Sequence, residues 1–284
     1  MGYSFDNSSD TTIVNGTAVD TNVGVGSGWH TLHIKAWGNR GAVCVTDVAV
    51  NVTSAASGPY IPSNAISVSG IHALNNWQAV KDSATGSGWA SGTTNLTNSP
   101  SQSGHTRQFA TGFSNYGGVR YHASFGDDTT SQNFVYDAMV YLNASSAVIG
   151  NLEMDMNQVM PNGQTVIFGF QCDGYSSTWD YTWNAGSATS PVDKWAHSSA
   201  YCNPRTWSTN AWHHIQISYS RDQWGNVTYH SVWLDGREEA INRTAYSAFA
   251  LGWAPTLLTN FQVDGLGAGG TPYVWLDNLT VYRW

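Results

Sequence analysis

Residues 151–159 read Asn-Leu-Glu-Met-Asp-Met-Asn-Gln-Val, and polar and apolar residues alternate strictly as far as Asn157. Successive side chains of a β-strand point to opposite faces, so this alternation predicts a strand with one polar and one apolar face. Glu153 and Asp155 then lie side by side on the polar face. Gln158 breaks the alternation and predicts a slip of register at that end of the strand.

The rest of the chain favours β-structure as well. Charged residues make up 11% of the 284 residues and glycine accounts for 29 of them, a composition that suits strands joined by turns rather than helices. From residue 60 to residue 284, strand patterns recur with turn signals between them and without helical periodicity. We therefore predict an all-β fold, a two-sheet antiparallel jelly-roll sandwich formed by residues 60–284.

The first 53 residues read as a separate, smaller β module. The run 54–59 is rich in small residues and predicts a linker to the main domain. Within the module, the segments 14–17 and 28–37 resemble the second half of a bacterial immunoglobulin-like module. Such modules need about 100 residues, so we expect an incomplete sheet with an exposed edge and no chemistry of its own.

Charge and cysteine content restrict the partners and the compartment. The formal net charge of −8 disfavours nucleic acid and anionic membranes, and it favours a neutral ligand. Of the three cysteines, we expect Cys172 and Cys202 to form a disulfide and Cys44 to stay free; two buried thiols are the alternative. A disulfide implies an extracellular or periplasmic location. No signal sequence or apolar membrane span is recognisable, so we expect any export signal to precede this sequence.

Two segments of the main domain carry a family resemblance. Residues 212–219 and 229–238, which include Trp-His-His and Trp-Leu-Asp-Gly, resemble a hairpin of the concanavalin A-like lectin and glucanase superfamily. Residues 274–282 resemble the closing strand of carbohydrate-binding jelly rolls. The resemblance implies a concave sheet that carries a cleft for a polysaccharide or oligosaccharide.

In laminarinases and lichenases of this superfamily, one cleft strand carries the motif E-x-D-x-E or E-x-D-x-x-E. The resemblance makes Glu153 the nucleophile of a retaining glycoside hydrolase and Asp155 its assistant. The third acid is missing, because Asn157 and Gln158 occupy its two possible positions and an amide cannot donate the proton. Asp173, Asp180 or Asp264 on neighbouring strands could substitute, or Glu153 and Asp155 could themselves share a proton.

Further candidates for the cleft follow from alternation on the other predicted strands. Trp179 and Trp183 offer aromatic faces for sugar rings, although core packing is the alternative for both. His214 shares a parity with Gln216 and could reach the cleft, or could be a structural hydrogen-bonding residue. The predicted substrate-binding residues are Asn157, Gln171, Trp179, Asp180, Trp183, His214, Gln216, Gln262 and Asp264.

Cofactor chemistry is weakly indicated. We expect no required cofactor, and the resemblance implies a structural Ca²⁺ with Asp277 as a ligand. The sequence leaves a choice between a glycoside hydrolase acting on a neutral β-glucan and a non-catalytic polysaccharide-binding module. The first is slightly favoured, because two carboxylates on one cleft strand are costly unless their charge is used. A polysaccharide lyase is a weaker third reading, since Glu153 and Asp155 would repel a uronate.

Overall fold

The computed structural model describes residues 1–19, 25, 28–52, 58–82 and 88–284. Within them the chain divides into two compact units, Met1–Ser57 and Gly58–Trp284. Residues 54–57 of the predicted linker lie outside the described residues. No helix among the described residues is long and apolar enough to cross a membrane.

The first unit holds a four-stranded antiparallel sheet. Its strands are β1 (Gly2–Phe5), β2 (Thr12–Ile13), β3 (Gly28–Trp37) and β4 (Val43–Val52), in the order β2-β1-β3-β4. Strand β4 lies at the end of this order and most of its side chains are exposed. Cys44 lies on this strand as a free, exposed cysteine, as predicted. The resemblance of this unit to an immunoglobulin-like module stays a prediction.

The second unit consists of two packed antiparallel sheets. Its strands are β5 (Ile66–Val68), β6 (Gln78–Lys81), β7 (Ala90–Thr97), β8 (Thr106–Phe113), β9 (Gly118–Gly126), β10 (Asn133–Leu142), β11 (Ile149–Val159), β12 (Thr165–Phe168), β13 (Phe170–Asp173), β14 (Thr178–Asn184), β15 (Asp193–Tyr201), β16 (Ala211–Arg221), β17 (Asn226–Leu234), β18 (Arg237–Tyr246), β19 (Ala248–Phe249), β20 (Leu257–Gly265) and β21 (Tyr273–Arg283). Short 3₁₀ helices cover Ile71–Ala73, Ala144–Val148 and Pro204–Thr206.

The eight-stranded sheet follows the order β18-β17-β16-β10-β21-β8-β7, with β5 added to β21. The nine-stranded sheet follows the order β15-β14-β13-β11-β20-β9-β6, with β12 and β19 beside this path. Aromatic rings join the sheets: Phe109 of β8 stacks on Phe261 of β20 at 4.9 Å between ring centroids. This is the predicted all-β jelly-roll sandwich, and its core lies between the two sheets.

Strand β11 lies in the middle of the nine-stranded sheet. Leu152, Met154 and Met156 are fully buried in the core, as the alternation predicts. The pairing of β11 with β20 runs without a shift from Asn151 to Gln158, so the predicted slip of register is wrong. Gln158 continues the core-facing parity and is buried, because its Oε1 accepts a hydrogen bond of 2.6 Å from Nε of Arg221.

The disulfide between Cys172 and Cys202 is present, with 5.2 Å between the two Cα atoms, and confirms the predicted pairing. It ties the end of β13 to the segment that follows β15. Both cysteines are buried in the core of the second unit. The crosslink therefore holds the outer strands of the nine-stranded sheet beside its centre.

Candidate functional site

A cleft of about 410 Å³ lies against the face of the nine-stranded sheet that points away from the core. Its floor comes from β11 and β20, and residues of β9, β14 and β15 add to its walls. The predicted side chains of Glu153, Asp155, Asn157 and Gln262 all line it. Alternation along β11 and β20 therefore brings these four residues into one site.

The carboxyl groups of Glu153 and Asp155 form a hydrogen bond with each other. Burial, followed by the charge of Asp155, raises the pKa of Glu153 well above its usual range. Burial also raises the pKa of Asp155, although hydrogen bonds from Glu153 and from the backbone N–H of Phe170, at 3.0 Å, lower it. Since the pKa of Asp155 is about 6 and that of Glu153 is raised as well, the pair holds a proton at about pH 5.

No acid lies directly opposite Glu153 on the neighbouring strands. Its register partners are Gln171 on β13 and Gln262 on β20. Asp173 and Asp264 pair instead with Asn151, two residues away along β11. Diagonal positions of this kind lie about 7–8 Å apart in a sheet, so the nearest carboxyl group to Glu153 is the one on its own strand.

Asp264 is a second buried carboxyl group on this face, 3% exposed. Burial raises its pKa to about 7, against the effect of the Gln262 amide, whose Nε2 donates to its Oδ2 at 3.0 Å. Its Oδ1 has no hydrogen-bond partner among the described residues. The charges of Asp82 and Asp173 add to the unfavourable environment of the ionised form.

Other buried polar atoms on the same face also lack partners in the described part of the chain. They are Oδ1 of Asn151, Oδ1 of Asn157 and Nδ1 of His122. Buried polar groups in folded proteins are normally hydrogen-bonded, since leaving one unpaired costs about 1–3 kcal/mol. Four such atoms, counting Oδ1 of Asp264, lie on this one sheet face, where a polar ligand could pair with those that line the cleft.

Two tryptophans, Trp195 on β15 and Trp253 in the segment before β20, line the cleft. Trp253 is 40% exposed, so its ring is available to a ligand. Trp179 is fully buried instead and stacks on Phe170 at 5.2 Å, in the core. Trp183 shares the parity of Trp179 and does not line the cleft, so the structure does not bring the two predicted aromatic platforms to the site.

His214 and Gln216 lie on β16, which belongs to the eight-stranded sheet. Their neighbours Ile215 and Ile217 fill the core, so both polar side chains point to the outside of the sandwich. Each contacts Asp137 at 2.8 Å. The prediction that they reach the cleft is therefore wrong. Alternation along a strand shows which residues share one face of that strand, but it does not show to which sheet the strand belongs.

Asp173, Asp180 and His197 form a cluster at the edge of the same sheet face. One ligand atom from each lies within 4.8 Å of the others, a spacing that could hold a metal ion. Existing contacts already use these carboxylates, because Asp180 accepts from Thr178 Oγ1 at 2.6 Å and contacts His197 Nδ1 at 2.8 Å. Asp173 accepts from the backbone N–H of Tyr175 at 2.7 Å. The hydrogen bonds explain the cluster without an ion.

Asp277, the predicted calcium ligand, is fully buried on β21. Its carboxylate accepts hydrogen bonds from the Ser103 hydroxyl at 2.6 Å and from the Gln102 backbone N–H at 2.7 Å. Ser101 and the backbone N–H groups of Ser103 and Asn278 are further donors. Donors of this kind fit a carboxylate rather than a cation, which needs oxygen ligands. Calcium at Asp277 stays a prediction without support from these contacts.

Several cleft residues were not among those predicted to bind substrate. Arg120 and His122 line the cleft from β9, and Asp82 and Asp193 line it from opposite edges of the sheet. The signal for β9 was available, since Val119, Tyr121 and Ala123 alternate with Arg120 and His122 and are fully buried. The alternation could not say which neighbour β9 pairs with, and pairing with β20 is what places it beside Gln262.

No protein-family model matches the chain, and neither does any curated protein. Solved structures share its architecture in part. A structure described as one of the carbohydrate-binding modules of the β-sandwich superfamily is 9% identical, with 98% of this chain and 82% of that chain covered and a TM-score of 0.39. The cellulose induced protein Cip1 is 14% identical over 72% of this chain and 90% of its own, with a TM-score of 0.42.

Arcelin-5, a lectin-like defence protein from Phaseolus vulgaris, is 8% identical over 73% of this chain and 98% of its own, with a TM-score of 0.37. Likenesses this distant do not indicate what this chain binds. Its own cleft residues have to do so.

Proposed function

We propose that the second unit binds a carbohydrate chain in the cleft of the nine-stranded sheet and does not cleave it. The observation that carries the proposal is the set of buried, unpartnered polar atoms on one sheet face, on Asn151, Asn157, Asp264 and His122. Sugar hydroxyls are both donors and acceptors, so a carbohydrate can complete those of Asn157 and His122, which line the cleft. Trp253 and Trp195 beside them supply apolar ring faces for the sugar rings.

The carboxyl geometry favours binding over hydrolysis. A retaining glycoside hydrolase needs its two carboxyl groups about 5–5.5 Å apart, with the anomeric carbon and the leaving oxygen between them. Glu153 and Asp155 instead lie two residues apart on one strand and are hydrogen-bonded to each other, rather than facing each other across the cleft. The residues opposite Glu153 are amides that cannot serve as the general acid.

An extracellular or periplasmic location belongs to the same proposal. The Cys172–Cys202 disulfide is the supporting observation, since such bonds persist in oxidising compartments. Polysaccharides are encountered in that setting. The first unit is assigned no part in binding.

The test is a panel of soluble polysaccharides and defined oligosaccharides, scored for binding by calorimetry and for product release by a reducing-sugar assay. We expect saturable binding to at least one of them and no product after long incubation. Trp253→Ala should weaken that binding about tenfold or more, in line with the 1–3 kcal/mol attributed to an aromatic platform.

Trp224→Ala is the matched control, because Trp224 is 66% exposed and does not line the cleft. It should bind like the unaltered chain. Product release that disappears in Glu153→Gln would overturn the non-catalytic proposal and establish the hydrolase. Absence of binding to every member of the panel would overturn the carbohydrate proposal itself.

A further inference from the structure

The charges that face the cleft are unbalanced. The carboxyl groups of Glu153, Asp155, Asp82 and Asp193 line it, and Arg120 is the one arginine or lysine among its lining residues. Asp264 adds a further carboxyl group next to the floor, where it raises the pKa of Glu153. The lining residues in the described part of the chain therefore include four carboxyl groups and one guanidinium group.

An unpartnered atom in the lining has the same bias. Oδ1 of Asn157 is a hydrogen-bond acceptor on a residue that is 2% exposed, and Oδ1 of Asn151, on a residue that is 6% exposed, is a further unpartnered acceptor on the same sheet face. Such an acceptor needs a donor from the ligand. A hydroxyl group supplies one hydrogen and no charge, whereas an ammonium group supplies three hydrogens and a positive charge.

Building on the proposed carbohydrate site, we propose that its ligand is a polysaccharide of amino sugars with free, protonated amines, with an ammonium group over Glu153 and Asp155. The net charge of the whole chain favours a neutral ligand over an anionic one. The charges within the cleft go further and favour a cation.

The cations near the cleft do not occupy the proposed ammonium position. Arg120 lies on β9, which is separated from β11 by β20, and its register partners are Gln262 and Val80. His122 stays neutral near pH 7, because burial, and then the charge of Arg120, lower its pKa. The exposed Lys81 and Lys194 do not line the cleft. The titratable groups on elements around the pair are Asp82 (beyond β6), Arg120 and His122 (β9), Asp264 (β20), Asp173 (β13), Asp180 (β14), and Asp193 and His197 (β15).

The proton held by the carboxyl pair gives the proposal a distinct signature. An ammonium group beside Glu153 and Asp155 favours their ionised forms, so it lowers their pKa values and the shared proton leaves on binding. A neutral sugar of the same length does not change this charge balance. Proton release should therefore accompany binding of the amino sugar alone.

The experiment is isothermal titration calorimetry of the full chain at about pH 5, well below the range in which free amines lose their proton. The ligands are the β-1,4-linked hexamers of glucosamine, N-acetylglucosamine and glucose, each titrated in two buffers of different ionisation enthalpy. We expect the glucosamine hexamer to bind at least tenfold more tightly than the other two, with proton release, and to lose most of that advantage in 1 M salt.

The double variant Glu153→Gln with Asp155→Asn should bring the glucosamine hexamer to within about twofold of the others. Asp127→Asn is the charge control, since Asp127 is exposed and lies outside the cleft. It should leave the preference unchanged. A circular dichroism melt of each variant confirms that it is folded before its affinity is compared.

Three outcomes overturn the inference, and they differ in what they say of the proposed function. Neutral hexamers that bind as tightly as the amine would refute the inference and leave carbohydrate binding intact. An amine preference that Asp127→Asn reduces as much as the double variant would reveal a general charge effect and refute it as well. If none of the hexamers, and no member of the wider panel, binds, both proposals fail.

Discussion

Asp277 in the eight-stranded sheet and Asp264 in the nine-stranded sheet are both almost completely buried, yet their carboxyl groups titrate in opposite directions. Burial opposes ionisation of Asp277, but hydrogen bonds from Ser103, Gln102 and Ser101 outweigh it and lower its pKa. Burial raises the pKa of Asp264 to about 7, although the side-chain amides of Gln262, at 3.0 Å, and Asn151 lower it.

Asp128 repeats the pattern of Asp277. Burial again raises its pKa, but hydrogen bonds from Ser131 and Thr130 and the nearby Arg283 bring it down to about 2. For Asp277 and Asp128 the donors of the protein thus outweigh burial, whereas for Asp264 and Asp155 they do not. The comparison teaches that burial alone does not mark a site; burial without partners does.

The largest expected change in stability follows from substitution of Asp277, the carboxylate with several hydrogen-bond donors. Asp277→Asn replaces an acceptor-only group by an amide and leaves several buried donors, together with His72, poorly paired. We expect the free energy of unfolding to fall by about 4–5 kcal/mol, the upper part of the range for removing one partner from a buried charged network. Urea denaturation measures this, with Asp127→Asn as the control that should change it by less than about 0.5 kcal/mol. A loss of stability as small as that of the control would show that the hydrogen bonds to Asp277 contribute little, which contradicts the comparison with Asp264.

Asp264→Asn should have the opposite effect, and the effect should depend on pH. The folded-state pKa of Asp264, about 7, lies above its ordinary value of 3.8, so the folded chain binds more protons between those values. Stability contributed by this group is therefore lost as the pH rises from about 4 to about 7.

The variant should match the unaltered chain near pH 4 and be more stable at about pH 8, by at most about 4 kcal/mol. Chemical denaturation at the two pH values measures the difference. The carbohydrate affinity should fall at the same time, because one carboxyl oxygen beside the cleft is replaced by an amide NH₂ group, which is only a donor. A variant less stable at both pH values would show that Asp264 is a structural carboxylate like Asp277.

The smallest effect is expected from Glu153→Gln. A glutamine amide can donate to Asp155 as the protonated Glu153 does, so the free energy of unfolding should change by less than about 1 kcal/mol at about pH 5. At about pH 8 the variant should be slightly more stable, since the buried like-charge repulsion is gone. Thermal melts at both pH values test this, and a large loss at pH 5 would contradict the shared proton.

The alternation of residues 151–157 was enough to predict strand β11, its two faces and the pairing of Glu153 with Asp155 on one of them. It could not supply the register, and the register decides that Gln171 and Gln262, rather than an acid, stand opposite Glu153. The pairing of Cys172 with Cys202 was also predicted, and it is confirmed.

Other residues needed the tertiary structure. The local sequence of β16 looks like that of a cleft strand, but β16 belongs to the eight-stranded sheet. His214 and Gln216 were therefore assigned to the wrong side of the sandwich. Trp179 and Trp253 are the same residue type, but their positions differ. Trp179 stacks on Phe170 of β13 in the core, whereas Trp253 lines the cleft. Which aromatic rings remain available depends on packing that strand patterns do not contain.

The most direct test of the central claim is a ¹³C NMR titration of the side-chain carboxyl groups, with and without the best-binding oligosaccharide. We predict that Asp264 and Glu153 titrate above the ordinary range for acidic side chains and that Asp277 and Asp128 titrate below it. Addition of the sugar should shift the resonances of Glu153, Asp155 and Asp264 and leave those of Asp277 and Asp128 in place. Cleft carboxyl groups that titrate normally and do not respond to any sugar would contradict the account.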